Sequence, residues 1–247
     1  MYKPVNDGIE KSVKAVEYNQ SSPPPELSMY VDNFWELKTL RTLDEDFCLH
    51  ALPDACVNIL LNQLDTRIAG ITQLQTTYEV LNLGRTFHYV GVQLLPGSWQ
   101  GSRKEIKDSY VGTPYEGDLP LIQTNKRLTD LDFSSKQAEL ATLVQSLINK
   151  ELIVQHDLIL NILENLESIR TVTDMADIVS LSSRQLQRNL RKITGFTPHD
   201  FLKVLRLQQS FKQESYYTYY SDASHFIHAF QEATGYTPKK YADKFNV

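Results

Sequence analysis

A short segment occurs twice in the last third of the chain, and this repeat limits the possible fold more than any other feature. Thr194–Pro198 reads TGFTP, and Thr234–Pro238, forty residues later, reads TGYTP. Apolar residues before each copy also correspond, with Leu186 and Leu190 in the first and Phe226 and Phe230 in the second. Glycine commonly ends a helix, and proline is favoured in the first turn of the next helix. The repeat therefore predicts two related helical units.

The residues before the first copy indicate a helix-turn-helix. Thr171 or Thr173 can cap one helix, and Ser182 can cap a second helix over Ser183–Thr194. Between the two helices, Ser180–Leu181 is expected to turn the chain. The second helix has an apolar stripe with which it can pack on the first, and this stripe consists of Leu186, Leu190 and Ile193.

The opposite face of the second helix carries basic and amide side chains and no acid. They are Arg184, Gln185, Gln187, Arg188 and Arg191. In the major groove, arginine can bind guanine and glutamine can bind adenine through two hydrogen bonds each. Arg191 and Lys192, farther along the helix, are better placed for phosphates. A basic face can also be merely solvated, but the repeat, the turn and the caps together favour DNA binding.

Charge is distributed unevenly along the chain. The net charge is −5, which taken alone argues against nucleic acid as a partner. Over Thr171–Val247, however, ten Lys or Arg residues stand against seven Asp or Glu residues, whereas the rest of the chain carries −8. The positive charge is therefore concentrated at the end of the chain that contains the repeat.

The composition is typical of a folded protein with a sizeable core, because 41% of the residues are hydrophobic. No apolar run reaches about 18 residues, so no transmembrane helix is expected. The first residues lack the apolar stretch of a signal peptide. Cys48 and Cys56 are too few for a disulfide framework. These features favour a cytoplasmic protein with reduced thiols, and a redox-active cysteine pair is the less favoured alternative.

The first half of the chain is typical of β-structure. Short segments rich in β-branched and aromatic residues alternate with Gly, Pro and Asn. These segments are Tyr30–Leu37, Val57–Leu61, Thr66–Ile71, Tyr78–Leu83 and Phe87–Leu94. Several short strands with close turns predict either a cupin-like β-barrel or a β-sandwich. The expected core of this domain contains Phe34, Trp35, Leu60, Tyr89, Val92 and Leu94.

From Ser134 onward the apolar residues change to helical spacing, which predicts two amphipathic helices with Ser134–Ser135 as the first cap. These helices either pack on the β-rich domain or form the seam of a dimer. The predicted fold class is α+β. Residues 1–133 are expected to form a β-rich domain for effector binding or dimerisation, residues 134–170 a helical linker, and residues 171–247 an all-α double helix-turn-helix domain for DNA binding.

The C-terminal third resembles the AraC/XylS family of bacterial transcription activators. The resemblance lies in Ala176–Arg188 and Gly195–Pro198, and again in Tyr220–Phe230 and Gly235–Pro238. Two such blocks in this order are fairly specific. The first half is also similar to sensor-type domains that precede this module in one branch of the family. That similarity lies in Phe34–Trp35, Leu52–Val57 and Gly91–Gly97.

The resemblance implies two helix-turn-helix units joined by a linker helix, each of which places a recognition helix in the major groove of double-stranded DNA. The implied recognition helices are Ser183–Lys192 and Asp222–Glu232, and the linker helix begins near His199 or Asp200. In the second recognition helix, the residues available for reading DNA are Ser224, His225, His228 and Gln231. An activator of this kind would also contact RNA polymerase.

Three departures from the family pattern affect these expectations. Ser180 stands where the family usually has glycine in the turn. The stretch between Arg206 and Phe226 is roughly ten residues shorter than in the family, so the second unit is expected to be truncated, with its supporting helix missing, shortened or fused to the linker helix. The second recognition helix also lacks Arg and Lys, so the first unit is expected to supply most of the affinity.

The sequence therefore predicts a sequence-specific DNA-binding transcriptional regulator, controlled by a small-molecule effector or by homodimerisation through its first domain. The alternative is a regulator-like protein that acts by protein–protein contact with weak or no DNA binding. Catalysis, a cofactor and a metal site are not expected. His225 and His228 have the spacing of a helical metal pair, but no nearby carboxylate or cysteine completes a ligand set. His50 and His88 stand alone in the β-rich half.

Overall fold

The computed structural model describes residues 2–5, 8–72, 74–107, 112–212, 220 and 222–246. Its described strands all lie in the first half of the chain. They are β1 (Val16–Ser21), β2 (Val31–Thr39), β3 (Phe47–Ala51), β4 (Asn58–Asn62), β5 (Ala69–Thr72), β6 (Glu79–Gly84), β7 (His88–Leu94) and β8 (Ile106–Lys107). Five of them overlap the predicted segments, whereas β1, β3 and β8 were not predicted.

The strands form two sheets that do not close into a barrel. The larger sheet has the order β1-β2-β7-β4-β5-β8, and β3 and β6 form a separate pair. All described pairings are antiparallel except that of β5 with β8. In a barrel every strand pairs on both sides. Here β1 and β8 each pair with one strand in the described part of the chain. The predicted barrel was therefore wrong in closure, whereas the predicted richness in strands was right.

The helices follow the sheets along the chain. They are α1 (Leu121–Arg127), α2 (Phe133–Asn149), α3 (Asp157–Glu164), α4 (Val172–Ile178), α5 (Ser183–Ile193), α6 (Pro198–Ser210), α7 (Ala223–Thr234) and α8 (Pro238–Lys244). The predicted cap of α2 was wrong. Asp132 is the capping residue, and its carboxylate accepts a hydrogen bond from the backbone N–H of Ser135 at 2.7 Å. Ser134 and Ser135 therefore lie inside the first turn.

The two helices predicted for residues 134–170 pack in different places. Leu140, Val144 and Leu147 of α2 are buried in the same cluster as Phe34 and Val92 of the larger sheet. Ile159 and Ile162 of α3 instead join a second cluster, which contains Ala55 and Cys56 of the β-rich half as well as residues of the helices that follow. The predicted association with the β-rich part thus describes α2 fully, whereas α3 contacts the β-rich part and the later helices together. None of the helices in the described part of the chain has the length and apolar character needed to cross a membrane.

The expected core residues of the β-rich half are divided among different environments. Phe34, Val92 and Leu94 lie between the larger sheet and α2. Tyr89 belongs to a separate buried cluster on the other side. Trp35 and Leu60 are only half-buried, and both line a cavity between the two sheets. A strand alternates its side chains between two faces, and the sequence does not reveal which of the faces is tightly filled.

Candidate nucleic-acid interface

Helix α5 begins at a well-formed capping box. The Ser182 hydroxyl accepts a hydrogen bond from the Gln185 backbone N–H at 3.3 Å. In return, the Gln185 side-chain oxygen accepts hydrogen bonds from the Ser182 backbone N–H at 2.9 Å and the Ser182 hydroxyl at 2.7 Å. Helix α4 starts in the same way, with Thr171 and Asp174 capping each other. The Ser182 cap was predicted, and of the two candidates for the cap of α4, Thr171 and Thr173, the structure uses Thr171. Such caps can be recognised in a sequence because they depend on residues three apart.

The turn between α4 and α5 brings the two helices of the first unit together. Ser180 has a φ of +52°, the left-handed conformation that glycine adopts without strain. The Leu181 backbone N–H donates to the Ala176 carbonyl at 2.9 Å. Ala176 itself is buried, as a small residue must be where two helices cross closely. The local chain therefore forms the tight turn that the resemblance implied, with serine in place of glycine.

The two faces of α5 are sharply separated. Leu186 and Leu190 are fully buried against α3, α4 and α6, and Ile193 is half-buried beside them. The predicted DNA-binding residues of this helix are all exposed. They are Ser183, Arg184, Gln185, Gln187, Arg188, Arg191 and Lys192. Within the described residues, none of the salt bridges involves these arginines or this lysine. The guanidinium groups are therefore presented to solvent and to any ligand that reaches this face.

Gln185 differs from its neighbours on this face. Its side-chain oxygen is engaged by Ser182. Reading adenine requires the oxygen and the NH₂ group of the amide together. While the cap is intact, Gln185 acts as a positioning residue for α5 and does not offer the base both groups. Gln187, two residues later, is exposed on the same helix.

The second unit repeats this arrangement. Asp222 caps α7 by accepting from the His225 backbone N–H at 2.8 Å, and Gly235, with a φ of +77°, ends the helix. Phe226 and Phe230 are buried against α8. The residues of α7 that were predicted to contact DNA are exposed. They are Ser224, His225, His228 and Gln231. The predicted loss of the supporting helix concerns mainly residues 213–219 and 221, which lie outside the described residues.

The second unit also packs on the β-rich half through His50, which the sequence presented as an isolated histidine. The His50 ring stacks on Tyr78 and on Phe245, with centroid distances of 4.8 Å in each case. The Tyr78 backbone N–H donates to the Ala233 carbonyl at the end of α7 at 2.9 Å. Burial lowers the pKa of His50 below its ordinary value. In the described part of the chain, no group of three or more His, Cys, Asp and Glu residues could hold a metal ion.

A cavity of about 150 Å³ lies between the two sheets. Its walls are mainly apolar and aromatic, with Trp35, Leu60, Leu81 and Tyr89 among the lining residues. Asp54 lies at its polar end, where its carboxylate accepts from the Cys56 backbone N–H at 2.8 Å and from Gln93 Nε2 at 2.6 Å. Burial raises the pKa of Asp54 to about 7 against these hydrogen bonds.

Comparison with known proteins assigns the helical region to a family. A family described as "Helix-turn-helix domain" matches residues 175–244, which include α5, α6 and α7. This region is an AraC-type helix-turn-helix domain of a DNA-binding transcription regulator. Proteins of this type are not enzymes, as the sequence predicted. A family described as "Domain of unknown function (DUF6597)" matches residues 19–104 of the regulator, a range that covers β2 to β7.

One solved structure similar to the regulator is that of ToxT from Vibrio cholerae. It shares 10% sequence identity with the regulator, and the alignment covers 92% of this chain and 98% of the other with a TM-score of 0.43. No curated protein matches the regulator.

Proposed function

We propose that the regulator binds double-stranded DNA in a sequence-specific manner, mainly through α5. The exposed polar face of α5 is the observation that carries this proposal. Arg184, Arg188 and Arg191 project from a helix that is held from behind by Leu186 and Leu190. A rigid helix with exposed forked donors on one face suits the major groove.

The roles proposed for the individual residues follow from their places on the helices. Arg184, Gln187 and Arg188 read base edges in the first half of α5, with Ser183 beside them, while Gln185 maintains the cap. Arg191 and Lys192 bind phosphates. In the second unit, Ser224, His225, His228 and Gln231 make the DNA contacts. The second helix carries no Arg or Lys, so its contribution to affinity is smaller and less dependent on salt.

Removing a base-reading arginine tests the proposal. Arg184→Ala and Arg188→Ala should each weaken binding by about 1–3 kcal/mol. The measurement is a gel-shift titration with DNA that the wild-type chain selects from a random library. Arg41→Ala is the matched control, because Arg41 is an exposed arginine of the β-rich half whose loss changes the net charge equally. Its affinity for the selected DNA should equal that of the wild type.

Two results would contradict this proposal. Unchanged affinity of both α5 variants would exclude α5 as the reading helix. A folded wild-type chain without DNA affinity at low salt, but with a stable protein partner, would favour the alternative function by protein contact.

We further propose that residues 1–133 bind an effector, that residues 134–170 connect the domains, and that residues 171–247 bind DNA. The cavity between the two sheets supports effector binding, because ligand sites are mostly apolar with a few polar groups at one end. Its volume of about 150 Å³ suits a small apolar or amphipathic molecule. An effector bound there would alter DNA binding only if it favours one arrangement of the domains over another.

Benzene can test whether the cavity accepts a ligand, since a dry apolar cavity of about 150 Å³ is known to bind it. Benzene should raise the thermal unfolding midpoint of the wild type, as any ligand of the folded state does. Leu60→Trp places an indole in the cavity and should abolish the benzene effect. Leu64→Trp, at an exposed position outside the cavity lining, is the control and should retain it. The absence of a shift in the wild type would contradict the proposal.

The proposed function includes two partners besides DNA and the effector. Regulation by homodimerisation makes a second copy of the chain a partner, and activation of transcription makes RNA polymerase another. DNA binding and contact with RNA polymerase both require the compartment that holds the DNA, so we propose a cytoplasmic location. Sedimentation of the full chain with and without its selected DNA measures the pairing, and a monomer under both conditions would argue against it.

A further inference from the structure

Helix α7 displays a large apolar side chain that the fold covers only in part. Ile227 has 43% of its surface exposed, whereas its neighbours Phe226 and Phe230 are buried. The other large apolar side chains that are exposed in the described residues lie outside α5 and α7. They are Met29, Leu40, Leu64, Val80 and Leu131. A single exposed apolar residue is common on protein surfaces, so its position on the helix decides what it indicates.

Ile227 shares a helix face with the predicted DNA-contacting residues of α7. It lies three residues after Ser224 and four residues before Gln231, and residues at these spacings are neighbours on one side of a helix. His228 is next to it in sequence and is exposed as well. The buried Phe230 lies three residues after Ile227, so the buried side of α7 adjoins Ile227. Ile227 therefore lies at the edge of the exposed surface that this unit would turn toward DNA.

The internal repeat leads to the same position. Ile227 lies forty residues after Gln187, the same offset that relates Phe226 to Leu186 and Phe230 to Leu190. Gln187 is exposed on α5, between the arginines proposed to read bases. The two units thus present an amide at this position in one copy and a branched hydrocarbon in the other. An amide recognises hydrogen-bonding groups, and a hydrocarbon recognises an apolar group.

We infer that Ile227 is a further specificity-determining residue of the regulator, and that it packs against the C5-methyl group of a thymine in the major groove. This inference rests on the proposed function of α7 as a DNA-reading helix. The thymine methyl is the apolar group that a base pair presents in the major groove. Burying one methyl group changes an equilibrium by about three- to fivefold. Ile227 therefore supplies sequence preference without adding charge.

Replacing thymine by uracil removes this methyl group and nothing else, which makes a direct test. DNA sites are first selected from a random library with the full-length wild-type chain. Each thymine of the half-site next to α7 is then replaced singly by uracil. One replacement should lower the affinity of the wild type by about three- to fivefold. Ile227→Ala should bind thymine and uracil sites equally, and Ile227→Val, which keeps a branched side chain, should retain part of the preference.

Leu64→Ala is the matched control, since it shortens an exposed apolar side chain of the β-rich half. It should keep the full preference for thymine. The inference is overturned if the selected half-site lacks a thymine, if no uracil replacement affects the wild type, or if Ile227→Ala keeps the wild-type preference. In these cases selected DNA is still bound, so the proposed function stands. A wild-type chain that binds no DNA overturns both.

Discussion

At the scale of single residues, the turn of the first unit holds Ser180 in a backbone conformation that serine does not favour. Ser180 adopts a φ of +52° and is exposed, so its side chain gains little from burial. A left-handed conformation costs a non-glycine residue about 1–2 kcal/mol. The rest of the unit compensates for this cost, because the two caps and the buried Leu186 and Leu190 fix the helices on both sides.

Ser180→Gly should therefore stabilise the folded chain. Glycine removes the conformational strain but also increases the entropy of the unfolded chain, so the expected net gain is about 0.5–1 kcal/mol. Urea unfolding, followed by circular dichroism, measures it. Ser183→Gly removes a hydroxymethyl group from a helical position nearby and should destabilise the chain instead. Equal or lower stability of Ser180→Gly would show that the turn is not strained.

At the scale of secondary-structure elements, a buried ionic cluster joins α2 to the larger sheet. Glu36 of β2 is 1% exposed, and its carboxylate accepts hydrogen bonds from Lys136 Nζ of α2 at 2.7 Å and from Lys38 Nζ at 3.0 Å. His88 Nε2 of β7 lies 2.9 Å from the same carboxylate. Burial opposes the ionisation of Glu36, but the contacts with His88, Lys136 and Lys38 outweigh it and hold the pKa of Glu36 well below its usual range.

Glu36→Gln should destabilise the chain strongly, because it leaves the buried Lys136 without its counter-charge. The expected cost is about 3–5 kcal/mol, measured by urea unfolding at neutral pH. Glu139→Gln is the control, since the Arg127–Glu139 pair is more exposed and worth at most about 1 kcal/mol. Lys136→Met, added to Glu36→Gln, should recover much of the loss because the uncompensated charge is gone.

The same cluster predicts a pH dependence with a definite sign. A carboxyl group whose pKa is lower in the folded state stabilises the fold above its unfolded pKa, which is 4.5 for Glu36. That contribution decreases as the pH falls below this value toward the folded pKa. The wild type should thus lose more stability between neutral pH and pH 4 than Glu36→Gln does. Parallel stability curves for the two proteins would exclude this role of Glu36.

At the scale of the whole molecule, the β-rich half touches the end of the first recognition helix. Gly97, in the turn after β7, has a φ of +76°, and a Cβ atom added to it would lie 2.8 Å from Cγ2 of Ile193 and 3.1 Å from Cγ1 of Ile159. Gln100 Nε2 donates to the Ile193 carbonyl at 3.4 Å. A change in the β-rich half can therefore reach α5 through direct contacts.

Gly97→Ala should disturb this contact, and Gly84→Ala provides the matched control. Both glycines have similar positive φ angles, so both substitutions introduce backbone strain, but no atom lies within 4 Å of a Cβ added at Gly84. Gly97→Ala should cost at least about 1 kcal/mol more in unfolding free energy. It should also change the DNA affinity in a gel-shift titration, whereas Gly84→Ala should not. Identical behaviour of the two variants would show that the contact is unimportant.

The sequence alone determined the helices of the repeat and the exposed face of α5. Caps, turns and apolar stripes depend on residues three or four positions apart, so Ser182, Leu186 and Leu190 carry this information locally. Only the tertiary structure decided that the sheets stay open, that Trp35 and Leu60 line a cavity, and that Glu36 pairs with Lys136, a hundred residues away. The tertiary structure also decided that His50 packs on the second unit. Such contacts join distant parts of the chain, and no local pattern of residues encodes which distant partners will meet.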